Sequence, residues 1–409
     1  MRIRFVTLYF PPEMGAAQRR ISEMARRLAN KGHKVTVVTG FPNYPTGLKP
    51  KEYHRKFFMR EKVNGYGIIR LYHYTAPNKG FLKRIMIHLT FALSASIYNI
   101  FMKRDDIVYI ESPPLFNGFI GLSSKLFRRI PYLFNVADLW PQTAIELKAL
   151  RNKQIIFLAR LLERVFYAQS SGIIANTKGA RKFIMDLGFD DKKALFITNG
   201  VDLQEFHDQV VPSTKILKYK KEGRLLAIYA GILGMAQGLK IILEAAKELE
   251  REPIDFLFVG DGHDKEMMLE YSKQQGLKNV TFLDPVPQQE MPSVLKAADI
   301  AIISLRNLKL FNFVIPSKCF ESMASELPIM LSVPGEMAEY VNAASCGFTA
   351  EPENLEQIVG AFRKFIALPD EERIEMGRRG RTYAIRHFSR EDITNKLESA
   401  MRNVLSHGK

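Results

Sequence analysis

Short strand-like runs, apolar along their whole length, alternate with helical stretches through the entire chain. In the first half the runs are IRFVTLY, HKVTVVTG, a stretch near GIIRLYHY, DIVYIES, PYLFNVAD, GIIANT and LFITNGVD. In the second they are LLAIYAG, IDFLFVGDG, NVTFLDPV, DIAIISL and PIMLSV. A strand without a polar side needs cover on both faces, so the alternation predicts parallel sheets with helices above and below, an α/β class. At 409 residues the chain is too long for one ordinary core. Two doubly wound, Rossmann-like domains facing each other across a cleft are expected, residues 1–205 and 206–388, with the boundary near Phe206 to Glu222. Ligands of such sheets bind beyond the carboxyl ends of the strands. The strand ends expected there are the Gly15 loop, Asp138, Gly231 to Gly234, Gly260 to Gly262, and FVIPSKCFESMASELPIM at 313–330.

Charge separates the halves. Residues 1–200 carry 33 Lys and Arg against 13 Asp and Glu, whereas residues 201–409 carry 26 against 30. A basic half implies an anionic partner: a nucleic acid, an acidic lipid surface or a phosphorylated substrate. No helix-turn-helix with a base-reading face, zinc finger or RNP aromatic motif occurs, which sets nucleic acid aside. Within the basic half lies FLKRIMIHLTFALSASIYNIFMKR, residues 81–104, whose apolar run from Ile85 to Phe101 is 17 residues, short of the ~20 that cross a bilayer. It reads either as a buried helix of the α/β domain or as a helix in a membrane interface, held through acidic lipids by Lys83, Arg84, Lys103 and Arg104. Cys319 and Cys346 lack metal-ligand spacing and read as reduced, buried thiols of a cytosol-facing protein. The N-terminal MRIRFVTLYFPPE runs into a strand rather than a cleavable apolar segment, so no signal peptide is expected.

The segment around Pro316 carries the chemistry. Proline suits a helix start, and the amides of Ser317, Lys318 and Cys319 would then point outward at the positive end of the helix dipole, an anion site to which Lys318 adds a full charge. Glu321, one turn further on, can accept two hydrogen bonds from a vicinal diol such as a ribose. Phosphates at the helix start and a ribose one turn along describe a nucleoside diphosphate. The same residues also suit a helix that is merely capped.

PPEMGAAQRRISEMARRLANKGHKVTVVTG, FPNYPTG, VADLWPQ, ITNGVDLQEF, YAGILGMAQGL, FVGDGHDKE, VPQQEMPSVLKAADIAIISL, PSKCFESMASELPIM and GEMAEYV, in that order, resemble the family 4 glycosyltransferases of the GT-B fold along nearly the whole chain. FPNYPTG, DLWPQ and PSKxxE resemble the WbuB-like branch that builds bacterial O-antigens and capsules. The resemblance implies a donor site of Gly231, Gly234, Gly262, His263, Pro316, Ser317, Lys318 and Glu321, with Glu321 as the second glutamate of the E-x7-E motif, on the ribose. It places Gly15 in the glycine loop near the reaction centre and Asp138 in the catalytic His/Asp segment. Asp138 could also be a helix N-cap, and His263 a solvated loop residue. Departures are specific: the first glutamate falls on Phe313, and the usual phosphate-binding arginine and lysine fall on Met235 and Gln237. Lys318, Arg306, Lys309 or Lys240 are the candidates to replace them.

The implied reaction is a metal-independent, retaining transfer from a nucleoside-diphosphate sugar, UDP by analogy, with charge stabilised by preorganised donors. No Asp-x-Asp occurs, and no cofactor is expected beyond the donor. Lys318 and Glu321 would hold the donor while Asp138 orients the acceptor or assists as base, the acceptor being a sugar on a polyprenyl diphosphate at the inner face of the cell membrane. A C-terminal helix, about 389–409, would cross back onto the first domain. Rival expectations are a non-hydrolysing UDP-sugar epimerase and, from Met235, Gln237 and Phe313, a degenerate membrane scaffold of the same fold. A nicotinamide dehydrogenase is disfavoured because no first strand leads into G-x-G-x-x-G.

Overall fold

A computed structural model describes residues 1–13, 15–44, 46–77 and 81–407. Met14 and Pro45, which fall in the PPEMG and FPNYPTG stretches, lie outside the described residues. The chain forms two compact units, Met1–Asn199 together with the segment from Arg390 onward, and Gly200–Ser389.

The first unit is built on eight strands: β1 Arg2–Val6, β2 Lys34–Gly40, β3 Phe58–Val63, β4 Tyr66–Leu71, β5 Ile107–Ser112, β6 Tyr132–Val136, β7 Gly172–Ala175 and β8 Ala194–Phe196. Their order is β3-β4-β2-β1-β5-β6-β7-β8, parallel except at the β3–β4 edge. Strand order reverses between β1 and β5, which makes their carboxyl ends the switch point where ligands of such sheets settle. β3 was not among the expected strands. It pairs antiparallel with β4 through Asn64 and Gly65, both at positive φ (49° and 85°), the turn that an Asn-Gly pair makes readily.

Five helices of this unit matter here: α1 Ala16–Asn30, α2 Phe81–Phe101, α3 Gly118–Arg128, α4 Gln142–Glu146 and α5 Lys153–Gln169. α2 runs 21 residues, longer than the 17-residue apolar run, and by length and composition could cross a bilayer. One side of it is fastened to the protein. Phe91 and Ala95 are buried, and the Asn99 carboxamide accepts from Arg4 of β1 and donates to Ser124 Oγ of α3 at 2.6 Å. The opposite side, Leu82, Met86, Leu89, Leu93, Ile97 and Phe101, is exposed, Leu93 by 63%. Apolar residues all round a helix mean burial on both sides, and among the described residues protein covers only one of them.

The C-terminal helix Arg390–His407 completes the first unit's core. Ile393, Leu397 and Met401 are buried among Ile3, Phe5, Ile21 and Leu28. Arg390 donates to Glu23 at 2.8 Å, Arg27 pairs with Glu391, and His33 meets Glu398 at 3.0 Å.

The second unit holds six strands, β9 Leu225–Ala230, β10 Ile254–Val259, β11 Val280–Leu283, β12 Ile300–Ser304, β13 Ile329–Ser332 and β14 Gly347–Thr349. They are parallel throughout in the order β11-β10-β9-β12-β13-β14. β14, three residues long, is a second strand that the alternation did not foretell. Both faces are covered: β9 sends Leu226 and Ile228 into one apolar cluster and Ala227 and Tyr229 into the other. Cys319 and Cys346 are free thiols buried in the first of these clusters. The switch point lies between β9 and β12, so the turns beginning at Gly231 and the segment running from Leu305 to Pro316 flank it.

Candidate functional site

The helix Ser317–Ala324 begins at Pro316, which stands at the N-cap with extended backbone (φ −62°, ψ 130°). Of the three amides expected to be free, Cys319 N–H donates to the Pro316 carbonyl at 3.1 Å. The local turn therefore leaves two outward amides, Ser317 and Lys318. Lys318 folds its side chain across Gly231, and its ammonium donates to the Tyr229 hydroxyl with Nζ 3.9 Å from the ring centroid. Burial pulls this ammonium down to about 8, and Glu321 opposes the shift. Glu321 lies one turn on, half-buried, where Gln288 Nε2 donates to it at 3.4 Å.

The turns after β9 and β10 are threaded against each other. Gly231 N–H donates to Val259 O at 2.8 Å and Leu233 N–H to Asp261 O at 2.9 Å. Gly231 has φ 137°, and a side chain there would displace Lys318. Gly260 has φ 156°, and a Cβ would collide with the Gly231 carbonyl oxygen. The glycines thus let two strand ends and one ammonium share a space that side chains would fill. Gly234 caps the short turn Met235–Gln237, and Gly262 lies against the Leu233 backbone. His263 is exposed and bonded to Asp264 at 2.8 Å, the solvated-loop arrangement.

Where Met235 and Gln237 stand in place of cations, Arg306 lies close. Its amide donates to Ala236 O at 3.0 Å, its stem passes over Gly238, and its guanidinium pairs with Glu353 at 3.3 Å. Lys240 reaches Glu244 at 3.7 Å, and Lys309 opens the turn that ends at Phe313.

Gly15 and Asp138 belong to the first unit. Gly15 is the N-cap of α1, and a Cβ there would run into the Gln18 side chain. Asp138 follows β6. It does not cap α4, whose N-cap is Pro141; its carboxylate instead accepts from the Thr143 hydroxyl at 2.6 Å, and burial raises its pKa. Lys83, Arg84, Lys103 and Arg104 are exposed at the two ends of α2. The structure thus assembles Gly231, Gly234, Gly262, Pro316, Ser317, Lys318 and Glu321 in one unit and leaves Gly15 and Asp138 in the other. Tyr229, Gln288 and Thr143, which hold Lys318, Glu321 and Asp138, were missed, because each meets its partner through the fold. Only VPQQE and DLWPQ, the stretches that contain Gln288 or run up to Thr143, hinted at them.

Two family models match the chain, "Glycosyltransferase Family 4" over residues 17–205 and "Glycosyl transferases group 1" over residues 214–383. WcaI of Escherichia coli K12, named as a colanic acid biosynthesis glycosyl transferase, is 22% identical over 98% of this chain and 100% of its own length. The lipopolysaccharide 1,2-N-acetylglucosaminetransferase of Salmonella typhimurium is 24% identical over 44% of this chain and 49% of its own. Among solved structures, sucrose-phosphate synthase from Thermosynechococcus elongatus superposes with a TM-score of 0.78 at 14% identity, covering 99% of both chains. Anabaena HepE in complex with UDP-glucose superposes with 0.68 at 14% identity, over 98% of this chain and 100% of the other.

Proposed function

The chain belongs to the family 4 glycosyltransferases and has the GT-B fold, and from that premise we propose that it moves a sugar from a nucleoside-diphosphate donor onto a lipid-linked acceptor in surface polysaccharide synthesis. The observation that carries the reading is the corner at Pro316. Two outward amides, a helix dipole and the Lys318 ammonium converge over a turn cleared by Gly231, with the Glu321 carboxylate one turn on. This arrangement suits a diphosphate followed by a ribose. UDP is the nucleotide of choice because HepE, of similar fold, was solved with UDP-glucose. Surface polysaccharide is favoured by WcaI, a relative matched over its full length.

In the proposed step the bond from the anomeric carbon to the diphosphate oxygen breaks with its electron pair going to the diphosphate. The acceptor hydroxyl oxygen bonds to the same face of that carbon, and its proton passes to a phosphate oxygen of the leaving group. Configuration is retained. Lys318 and the Ser317 and Lys318 amides stabilise the growing negative charge without a resident metal, and Arg306 supplements them beside Met235 and Gln237. Asp138, fixed by Thr143, orients the acceptor hydroxyl. Work at a membrane is supported by the uncovered apolar side of α2 between Lys83 and Arg84 at one end and Lys103 and Arg104 at the other, a fit for the acidic inner leaflet.

The experiment is calorimetric titration of the wild type and of Glu321→Ala with UDP, GDP and ADP. One diphosphate should bind, and the variant should lose about 1–3 kcal/mol of that affinity. Absence of binding to all three would remove the donor site and leave the scaffold alternative.

A further inference from the structure

α5, like α2, is longer than the strand it packs on. Ser171 N–H donates to the Tyr132 carbonyl at 2.8 Å, so the helix ends level with the amino end of β6. Its 17 residues span about 25 Å and the five of β6 about 16 Å, so roughly its first two turns stand past the carboxyl end of the sheet. α4 fills the space beneath them: Ala144, Leu150 and Ala159 are buried together, with Trp140 packed against them. Phe116 joins this projection to the start of α3, its ring 6.2 Å from that of Trp140 and 6.4 Å from that of Phe119. α2 overshoots its strand in the same direction. Ser94 Oγ donates to Tyr72 O at 2.5 Å, just after β4, which leaves the earlier turns of α2 beyond that strand's end. α3 lies between the two, tied to the end of α2 by Arg128, which donates to Met102 O at 2.8 Å, and to the end of α5 by Lys125, which donates to Gln169 O at 2.7 Å.

The inner side of α5, Ile156, Ala159, Glu163 and Phe166, repeats at spacings of three and four and packs on the protein. On its outer side Phe157, Leu158 and Leu161 are 72%, 53% and 48% exposed. Lys153, Arg160 and Arg164 share that side, four residues before Phe157 and three and seven after it, and all are exposed. Between Glu146 and Asp186 the chain carries eight Lys and Arg and one acid, Glu163, which is 4% exposed. α2 and α3 contain no acid at all. A single exposed leucine needs no explanation, whereas an apolar stripe flanked by cations and free of exposed acids points to a partner. A second copy of the chain is disfavoured, since a twofold contact through this face would set cation against cation. What fits is a negatively charged surface with an apolar interior, which the phenylalanine and leucines enter while the lysine and arginines stay at the head groups.

We propose that the outer side of α5 docks on an anionic lipid surface, as a second contact separate from α2. The inference rests on the membrane reading above and adds to it the way the first unit faces. One helix in an interface is free to roll about its own axis; two helices held apart by α3 are not. Both project past the carboxyl ends of their strands, so lipid engaged by both lies along that edge of the first sheet. From the same edge emerge the Gly15 loop, after β1, and the Asp138 loop, after β6.

The full chain is sedimented with vesicles of phosphatidylglycerol and of phosphatidylcholine as wild type, as the double variant Phe157→Glu with Leu161→Glu, and as the double variant Arg160→Gln with Arg164→Gln. Circular dichroism and calorimetric titration with UDP are run on each. The wild type should favour phosphatidylglycerol by at least about tenfold, and each double variant should lose about tenfold or more of that binding. Both should keep the wild-type dichroism and UDP affinity, and the glutamine pair decides should the glutamates disturb the fold. Variants that sediment like the wild type remove α5 from the lipid contact and overturn this inference alone, with α2 untouched. A glutamate variant that keeps its vesicle binding but passes from dimer to monomer in analytical ultracentrifugation assigns the face to a second copy and also overturns it. A wild type that ignores both kinds of vesicle yet binds UDP overturns the membrane reading together with this inference and leaves the donor site standing.

Discussion

Lys318, the cation of the proposed donor corner, is held at a cost to the fold. Its pKa of about 8 lies below the ~10.4 of a free lysine, so the unfolded chain binds more protons between those values. The destabilisation is full below pH 8 and fades as pH rises through about 8 to 10.4. Lys318→Met should raise the melting temperature at pH 7 by about a few degrees, since the Tyr229 hydroxyl still donates to Ile232 O at 2.7 Å, while nucleotide binding is lost. Scanning calorimetry with and without UDP checks both halves of that expectation. In the wild type, affinity for the diphosphate should weaken as pH passes from 7 to 9, when the ammonium gives up its proton. Lys318 itself could be picked out beside Pro316, because proline and an adjacent charge leave a local mark. Its partner Tyr229 could not, since 89 residues separate them.

At the scale of elements, α2 shows where a pattern misleads. Its apolar residues go nearly all round, and the sequence therefore leaves burial and membrane contact equally open. The fold divides them: Phe91, Ala95 and Asn99 go to the sheet and α3, and the Leu82-to-Phe101 side is left bare. Replacing Leu93 and Ile97 together by glutamate should cut sedimentation with acidic vesicles by more than about tenfold, because each apolar side chain withdrawn from lipid forfeits roughly 1.5–3 kcal/mol. Circular dichroism should remain that of the wild type, as neither side chain is buried in the protein. Unchanged sedimentation would rule out this side of α2 as the lipid contact. The parallel strands other than the three-residue β14 were readable because their runs are mostly apolar. β3 was not, since FMREKV is a mostly exposed edge strand with no such run, and only Asn64-Gly65 announced its hairpin.

On the scale of the molecule, the chain leaves the first unit after Asn199 and returns to it at Arg390. The returning helix is part of the first unit's interior, with Leu397 fully buried beside Met24 and Leu28. Leu397→Ala should destabilise that unit by about 2–5 kcal/mol in chemical denaturation, while affinity for UDP at the corner proposed in the second unit should stay as it was. The two-unit plan was visible in the repeated alternation. The exact crossing points were not, because ITNGVD reads equally well as the end of one domain or the start of the next, and residues 206–222 prove to lie within the second unit. That return has a consequence for synthesis. Ribosomes release the chain from its N-terminus, yet the first unit lacks Ile393, Leu397 and Met401 until residues 390–407 have emerged. The second unit is complete before the unit encoded first, and for that interval the nascent chain presents an unfinished core and the bare side of α2 together.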